Sequence, residues 1–208
     1  MLLFDLDGTL IDSNQAWVEV DNTFLFRRGL TPTEEYNRVV GQSIFPVAAQ
    51  FTQAYYGLKE TPQQIMDEWM ELIGEAYGKR IPLKAGAKPF LERCAARGAS
   101  MALVTACVPE LCHTVLERHG LDRFFPQILF AQELGVEKRD PRFFQAVLTH
   151  LGVSPRDCTL FEDSPAACRT AQAAGIRVVG VYDPFYEGHR EEMEMVCDRY
   201  IESFETLL

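Results

Sequence analysis

The chain has 208 residues, 47% of them hydrophobic and 24% charged, and carries a formal net charge of −10. That much apolar material can bury a substantial core and excludes a disordered chain, while the negative excess argues against polyanion partners, whether nucleic acid or an anionic membrane surface. No apolar run approaches the roughly 18 residues of a membrane span, no basic-then-apolar leader precedes the first apolar segment, and the expected location is the cytoplasm.

Residues 2–13 read LLFDLDGTLIDS. Leu2, Leu3 and Phe4 predict a short buried strand that delivers Asp5 and Asp7, followed at once by Gly8 and Thr9. Side chains two apart along an extended chain share a side, so both acids can face one site where the chain bends, and Gly8 permits a turn that a Cβ would hinder. Like charges held that close repel, and a divalent cation relieves the repulsion. A carboxylate nucleophile beside a second carboxyl able to trade protons is a workable device for moving a phosphoryl group. The competing reading of this segment is a surface turn, since Asp and Gly are common turn residues.

Residues 14–83 read as consecutive helices with no internal strand. Thr31-Pro32-Thr33-Glu34 and Thr61-Pro62-Gln63-Gln64 both fit a capping box and mark two helix starts. Trp17, Val20 and Phe24, then Ile65, Trp69, Leu72, Ile73 and Ala76, recur at three- and four-residue steps, the period of an amphipathic helix. Aromatics at such spacing are core residues more often than a pocket lining. The pair Arg27 and Arg28 reads as a solvated helix face. Asp12 is expected to hold the first of these helices, and Gly and Pro around residues 79–86 suit a hinge.

From Lys84 helices and strands alternate. Helices are expected at 87–97, 110–119, 143–151 and 165–174, several closed by a following Gly, with strands at 101–104, 128–130, 159–161 and 178–182. Alternation at this spacing implies right-handed crossovers and a parallel sheet, an α/β fold whose ligands bind beyond the carboxyl ends of the strands. The acidic stretch 187–194 and Tyr182-Asp183-Pro184 read as surface helix and loop. Cys94, Cys107, Cys112, Cys158, Cys168 and Cys197 lie in apolar patterns without the paired spacing of a zinc site, so buried reduced thiols are expected.

The strand-end rule gathers Asp5, Thr105, Glu162 and Asp163 into one crevice. Thr105 could donate a hydrogen bond to a phosphoryl oxygen or serve as a helix cap. Glu162 and Asp163, adjacent after Leu160 and Phe161, fit a Mg²⁺ site shared with an acid from a neighbouring strand. Cys107 has no His patterned with it and reads as a small loop residue rather than a nucleophile. A small phosphorylated metabolite is compatible with the acidic chain, because a bound cation and local basic groups can reverse the field inside a cleft.

Four segments in order (FDLDGTLIDS, the strand ending LVT, KRDPRFF and FEDSPAA) resemble the motifs of the haloacid dehalogenase superfamily, in particular its phosphatases and the β-phosphoglucomutase-like branch. The resemblance implies a Rossmann-like three-layer core with a parallel sheet, residues 1–13 and 84–208, and an inserted all-helical cap, residues 14–83. It implies Asp5 as nucleophile and Asp7 as general acid and base. Thr105, Ala106 and Lys138 would bind the phosphoryl group, and Asp5, Asp163, Glu162 and the Asp7 carbonyl would surround Mg²⁺. Arg139 stands where the family motif has Pro. The mutases of the branch carry a His in the helix after the first strand and an Arg in a Gly-Val-Ser-Arg loop. Here the nearest positions are Trp17 and Gly41-Gln42-Ser43-Ile44-Phe45, without a basic residue, so hydrolysis of a monoester is expected, ahead of a mutase and of a silent binding protein. Gln42 and Trp17, with Asn14 and Ser43, are the expected substrate-facing cap residues; nothing in the sequence specifies an oligomer.

Overall fold

The computed structural model describes every residue except Gln42. In chain order the elements are β1 (Leu2–Phe4), α1 (Asn14–Phe26), α2 (Glu34–Val40), α3 (Phe45–Tyr56), α4 (Pro62–Glu75) running into a π-helical turn at Ala76–Arg80, α5 (Ala87–Ala96), β2 (Met101–Thr105) and α6 (Pro109–His119). Then follow β3 (Ile128–Phe130), α7 (Ala131–Leu134), α8 (Pro141–Leu151), β4 (Thr159–Glu162), α9 (Pro165–Ala173), β5 (Arg177–Val181), α10 (Arg190–Val196) and β6 (Arg199–Ile201). The strands form one parallel sheet in the order β3-β2-β1-β4-β5-β6.

The strands are apolar almost throughout because both faces of the sheet are covered. Alternation sends Leu3, Val104, Leu160 and Val178 to the face packed by Phe143, Phe144 and Val147 of α8, Cys168 and Ala171 of α9 and Met193 of α10. Phe4, Leu103, Phe161 and Val179 go to the face packed by α5 and α6. Phe4 stacks on Phe161 at 4.6 Å between ring centroids. Burying each such ring contributes about 1.5–3 kcal/mol, so β1 is held in the middle of the sheet by its own side chains.

The four helices between β1 and α5 pack on one another, with Phe24 of α1 edge-on to Trp69 of α4 at 5.7 Å and Tyr36 of α2 against Phe51 of α3. Their apolar core continues through Tyr77 and Ile81 into the α5–α6 face of the sheet. Both connections to this helical insertion run side by side: Ile11 bridges to Leu83, Asp12 N–H donates to Pro82 O at 3.0 Å, and Lys84 N–H donates to Leu10 O at 2.9 Å.

Several local expectations shift. Thr61 forms the full capping box with Gln64, but at the other start Thr33, not Thr31, is the cap, its hydroxyl accepting from Tyr36 N–H. The two-residue slip places Pro32 outside the helix. Asp12 does not cap α1, whose cap residue Ser13 makes no side-chain capping bond; Asp12 pairs instead with Lys84 of the other connection at 3.2 Å. A sixth strand, β6, pairs with β5; its three residues are too short for a legible pattern. All six cysteines are buried and free.

Candidate active site

β1 lies between β2 and β4, where the strand order reverses, so chain leaving the carboxyl ends of these strands lines one crevice. Pairing of Phe4 with Phe161 brings the next residues, Asp5 and Glu162, together, and Asp5 N–H donates to Phe161 O at 3.0 Å. Oxygens of Asp5, Glu162 and Asp163 lie within 4.8 Å of one another, all three residues buried.

Lys138, in the loop between α7 and α8, sends its ammonium into this cluster. It donates to Asp5 Oδ1 at 2.7 Å and to Glu162. Glu162 also accepts from Ser164 N–H at the start of α9. Asp163 is fixed by the Thr9 hydroxyl at one oxygen and the Asn14 amide at the other, both at 3.0 Å. Gly8, at φ +79°, is what lets the loop after β1 come so near: a Cβ there would collide with the Asp163 carboxylate and the Asn14 amide.

The electrostatics of the cluster are unbalanced. Burial pushes Asp5 up to about 8, with Lys138 opposing and Glu162 and Asp7 adding to the rise. Burial likewise raises Asp163 well above the usual carboxylate range, reinforced by Glu162, Asp5 and Asp183. Burial alone would lower Lys138, but Asp5 and Glu162 outweigh it and hold its proton. Were all three carboxyls ionised against the one ammonium, two negative charges would be uncompensated, and that deficit adds to the rise of Asp5 and Asp163. An all-oxygen donor set with that deficit fits a hard divalent cation such as Mg²⁺.

Asp7 has its own support. Burial raises its carboxyl, while Tyr77, Ser13 and Cys107 pull it back by hydrogen bonding. The Ser13 hydroxyl donates to Asp7 Oδ1 at 2.7 Å, the Tyr77 phenol donates to the same oxygen, and the Tyr77 oxygen accepts from Trp17 Nε1–H at 2.9 Å. Thr105 is fully buried at the end of β2, where its Oγ1 accepts from Cys107 N–H at 3.0 Å. The buried Cys107 thiol is held well above its usual range, which removes it as a nucleophile.

Asp5, Asp7, Ala106, Lys138, Glu162 and Asp163 all border a cavity of about 220 Å³ whose opposite wall comes from the helical insertion. Trp17, Asn14 and Ser43 border it as expected; Gln42 lies outside the described residues. Sequence reasoning missed Tyr77, which sits in the π-helical turn where an apolar pattern hides a polar contact. It also misread Asp183: that residue is buried rather than on a surface loop, and pairs with Lys84, because the segment after β5 folds back over the crevice and brings Phe185 and Tyr186 to the cavity. The only local signal was an Asp-Pro step, which turns share. Arg27 and Arg28 are salt-bridged to Glu68 and do not border the cavity.

Comparison with known proteins agrees with this geometry. The model of the family described as haloacid dehalogenase-like hydrolase matches residues 2–181. The chain is 38% identical over 104 residues to a phosphoserine phosphatase of Thermus thermophilus, a match covering 50% of this chain and 42% of that protein. It is 30% identical over 198 residues to the GMP/IMP nucleotidase YrfG of Escherichia coli, covering 88% of this chain and 83% of that one. The crystal structure of CbbY from Rhodobacter sphaeroides in complex with phosphate superposes with a TM-score of 0.81 at 22% identity, over 99% of this chain and 95% of that one, and so shares its fold. With its strand-end acids, its helical insertion and a family match along most of its length, the chain belongs to the haloacid dehalogenase-like hydrolases.

Proposed function

We propose that the protein is a Mg²⁺-dependent phosphatase that hydrolyses a small phosphate monoester through an aspartyl-phosphate on Asp5. The observation that carries this reading is the Asp5–Glu162–Asp163 cluster with the Lys138 ammonium seated on two of its members. Asp5 and Asp163, with Glu162 beside them and the Asp7 carbonyl, would hold the cation. When bound, it offsets charge on the phosphoryl oxygens.

The chain's own groups account for the remaining steps. Asp5 attacks phosphorus in line, a carboxylate oxygen forming the new P–O bond as the ester P–O bond breaks. Lys138 balances charge on the phosphoryl oxygens. The Thr105 oxygen already accepts from Cys107 N–H, which leaves its hydroxyl hydrogen for a phosphoryl oxygen, next to the backbone of Ala106. Asp7, whose carboxyl burial raises, gives its proton to the departing alkoxide. The resulting carboxylate then takes a proton from water, which attacks phosphorus, releases inorganic phosphate and restores Asp5.

Residues 14–83 serve in this reading as a cap over a core of 1–13 and 84–208, closing about the paired connections near Ile11 and Leu83 to exclude water. A mutase must grip a second phosphate, and among the described cap residues bordering the cavity none is basic, which favours hydrolysis. The test is phosphate release from a panel of monoesters with and without Mg²⁺, beside Asp5→Asn. Release is expected only with the metal and is expected to fall at least about 10³-fold in the variant. Turnover that survives in Asp5→Asn overturns the nucleophile assignment, and isomerisation of a hexose 1-phosphate without net release turns the reading to a mutase.

A further inference from the structure

The cap wall of the cavity carries a specificity device. Asn14, Trp17 and Asp21 follow one another at steps of three and four residues along α1 and all border the cavity. The lower end of this stripe is anchored at the reaction centre, since the Asn14 amide donates to Asp163. Asp21 lies seven residues further on, about 10 Å along the axis at the α-helical rise per residue.

Between those ends the wall is aromatic and apolar. Phe45 stands 5.9 Å from Trp17 and 5.5 Å from Trp69 between ring centroids, with Ile44 and Val40 beside them. Trp69 is almost wholly buried, and its Nε1–H finds no acceptor among the described residues, so the wall holds an unspent donor. Asp21 is the one carboxylate the described cap residues present to the cavity. The Tyr36 phenol donates to its Oδ1 at 3.1 Å, and among the described residues no basic group pairs with it; burial pushes its carboxyl up to about 6. The neighbouring Thr52 hydroxyl donates to Ala48 O and has no hydrogen to offer. The basic residues that border the cavity, Lys138 and Arg139, come from the opposite side, and Arg139 is paired with Glu137 at 2.6 Å.

An ester seated with its phosphoryl group on Asp5 therefore points its organic part along an aromatic wall toward an acid. We propose, resting on the phosphatase reading above, that the substrate is a monophosphate whose organic part carries a flat ring with N–H donors or a positive nitrogen at its far edge, which Asp21 recognises. A second phosphate or a carboxylate at that end meets Asp21 with no cation to receive it, whereas a ring donor replaces the water the carboxylate loses.

The test ranks kcat/KM of the Mg²⁺-loaded protein on guanosine 5′-monophosphate, whose base edge offers ring and amino N–H donors, against glucose 1,6-bisphosphate, phosphoglycolate and p-nitrophenyl phosphate. The guanosine ester is expected to exceed the two esters that carry a second anionic group by at least about 10-fold. In Asp21→Asn its kcat/KM relative to p-nitrophenyl phosphate is expected to fall about 10-fold, and Asp21→Lys is expected to raise the bisphosphate relative to it. Equal or better turnover, by the wild type, of the esters with a second anionic group overturns the proposal, and this ranking decides even where a variant does not fold. Absence of phosphate release from every ester, p-nitrophenyl phosphate included, instead overturns the phosphatase reading on which it rests.

Discussion

The floor and the roof of the cavity are built on opposite physical plans. On the floor, Asp5, Glu162 and Asp163 are at most 5% exposed and crowd charges of one sign around a single ammonium. On the roof, Trp17, Phe45 and Trp69 contribute rings, and one acid, Asp21, stands alone. Stored electrostatic repulsion suits chemistry, because a cation and a transferring phosphoryl group are what relieve it. A smooth apolar wall with one polar mark suits selection among molecules sharing the same phosphoryl group. The difference separates what is common to the family's reaction from what belongs to this chain's substrate.

The strongest way to break the comparison is to perturb a backbone contact on each side. Gly8→Ala is expected to lower kcat/KM by about 100-fold or more, because the added methyl must displace Asp163 or Asn14 and a small misplacement of reacting groups is costly. Gly57, at the end of α3, has a similar φ of +63° but open space around it, so Gly57→Ala is expected to cost about 1 kcal/mol of stability and leave turnover unchanged. Kinetics and thermal melts on the two variants decide; equal loss of activity in both removes the special standing of the Gly8 turn.

Tyr77 joins roof to floor, and its removal sharpens the boundary. Tyr77→Phe deletes one of the donors that lower the Asp7 carboxyl, so that carboxyl is expected to rise and its protonated form to persist to higher pH. The alkaline fall of kcat on alkyl phosphates is then expected to move upward by about one unit, with kcat itself lower by about 10-fold. Esters with a good leaving group such as p-nitrophenolate need little help from the acid and are expected to change least. A pH profile that does not move in Tyr77→Phe separates the phenol from the proton transfer.

The smallest effect concerns stability. Folding raises Asp21 from its ordinary range to about 6, so its protonated form is favoured in the folded state. Its contribution is fully present below about pH 4 and is lost as pH rises through 6. Asp21→Asn, which keeps an acceptor for Tyr36, is therefore expected to stabilise the protein at pH 8 by about 1–2 kcal/mol, a rise in Tm of several degrees, and to bring no gain at pH 4. Melting curves at the two pH values check this; an identical shift at both means that the gain does not come from the carboxylate charge.

The floor was legible because its residues are adjacent to strongly patterned strands. Asp5 and Asp7 follow Leu2-Leu3-Phe4, and Glu162 and Asp163 follow Leu160-Phe161. Once those strands are parallel, strand-end geometry forces the acids together. Lys138 was less legible, since a loop lysine is ordinarily solvated, and its motif rather than its environment pointed to it. The roof was legible only in part: Trp17, Asn14 and Ser43 were expected at the cavity, but at helical spacing Trp69 and Phe45, which also border it, look the same as Phe24 and Tyr36, which fill the core of the helical insertion.

The sequence by itself determined the alternating α/β core, the insertion of helices after the first strand and the acids at the strand ends, because hydrophobic period and motif order are local properties that short segments carry. Only the tertiary structure decided that Tyr77 reaches Asp7, that Lys84 ties Asp12 to a buried Asp183, and that Asp21 faces the cavity from two turns up α1. Those pairings span up to 99 residues and depend on how helices pack, and packing leaves no trace in the spacing of the residues it brings together.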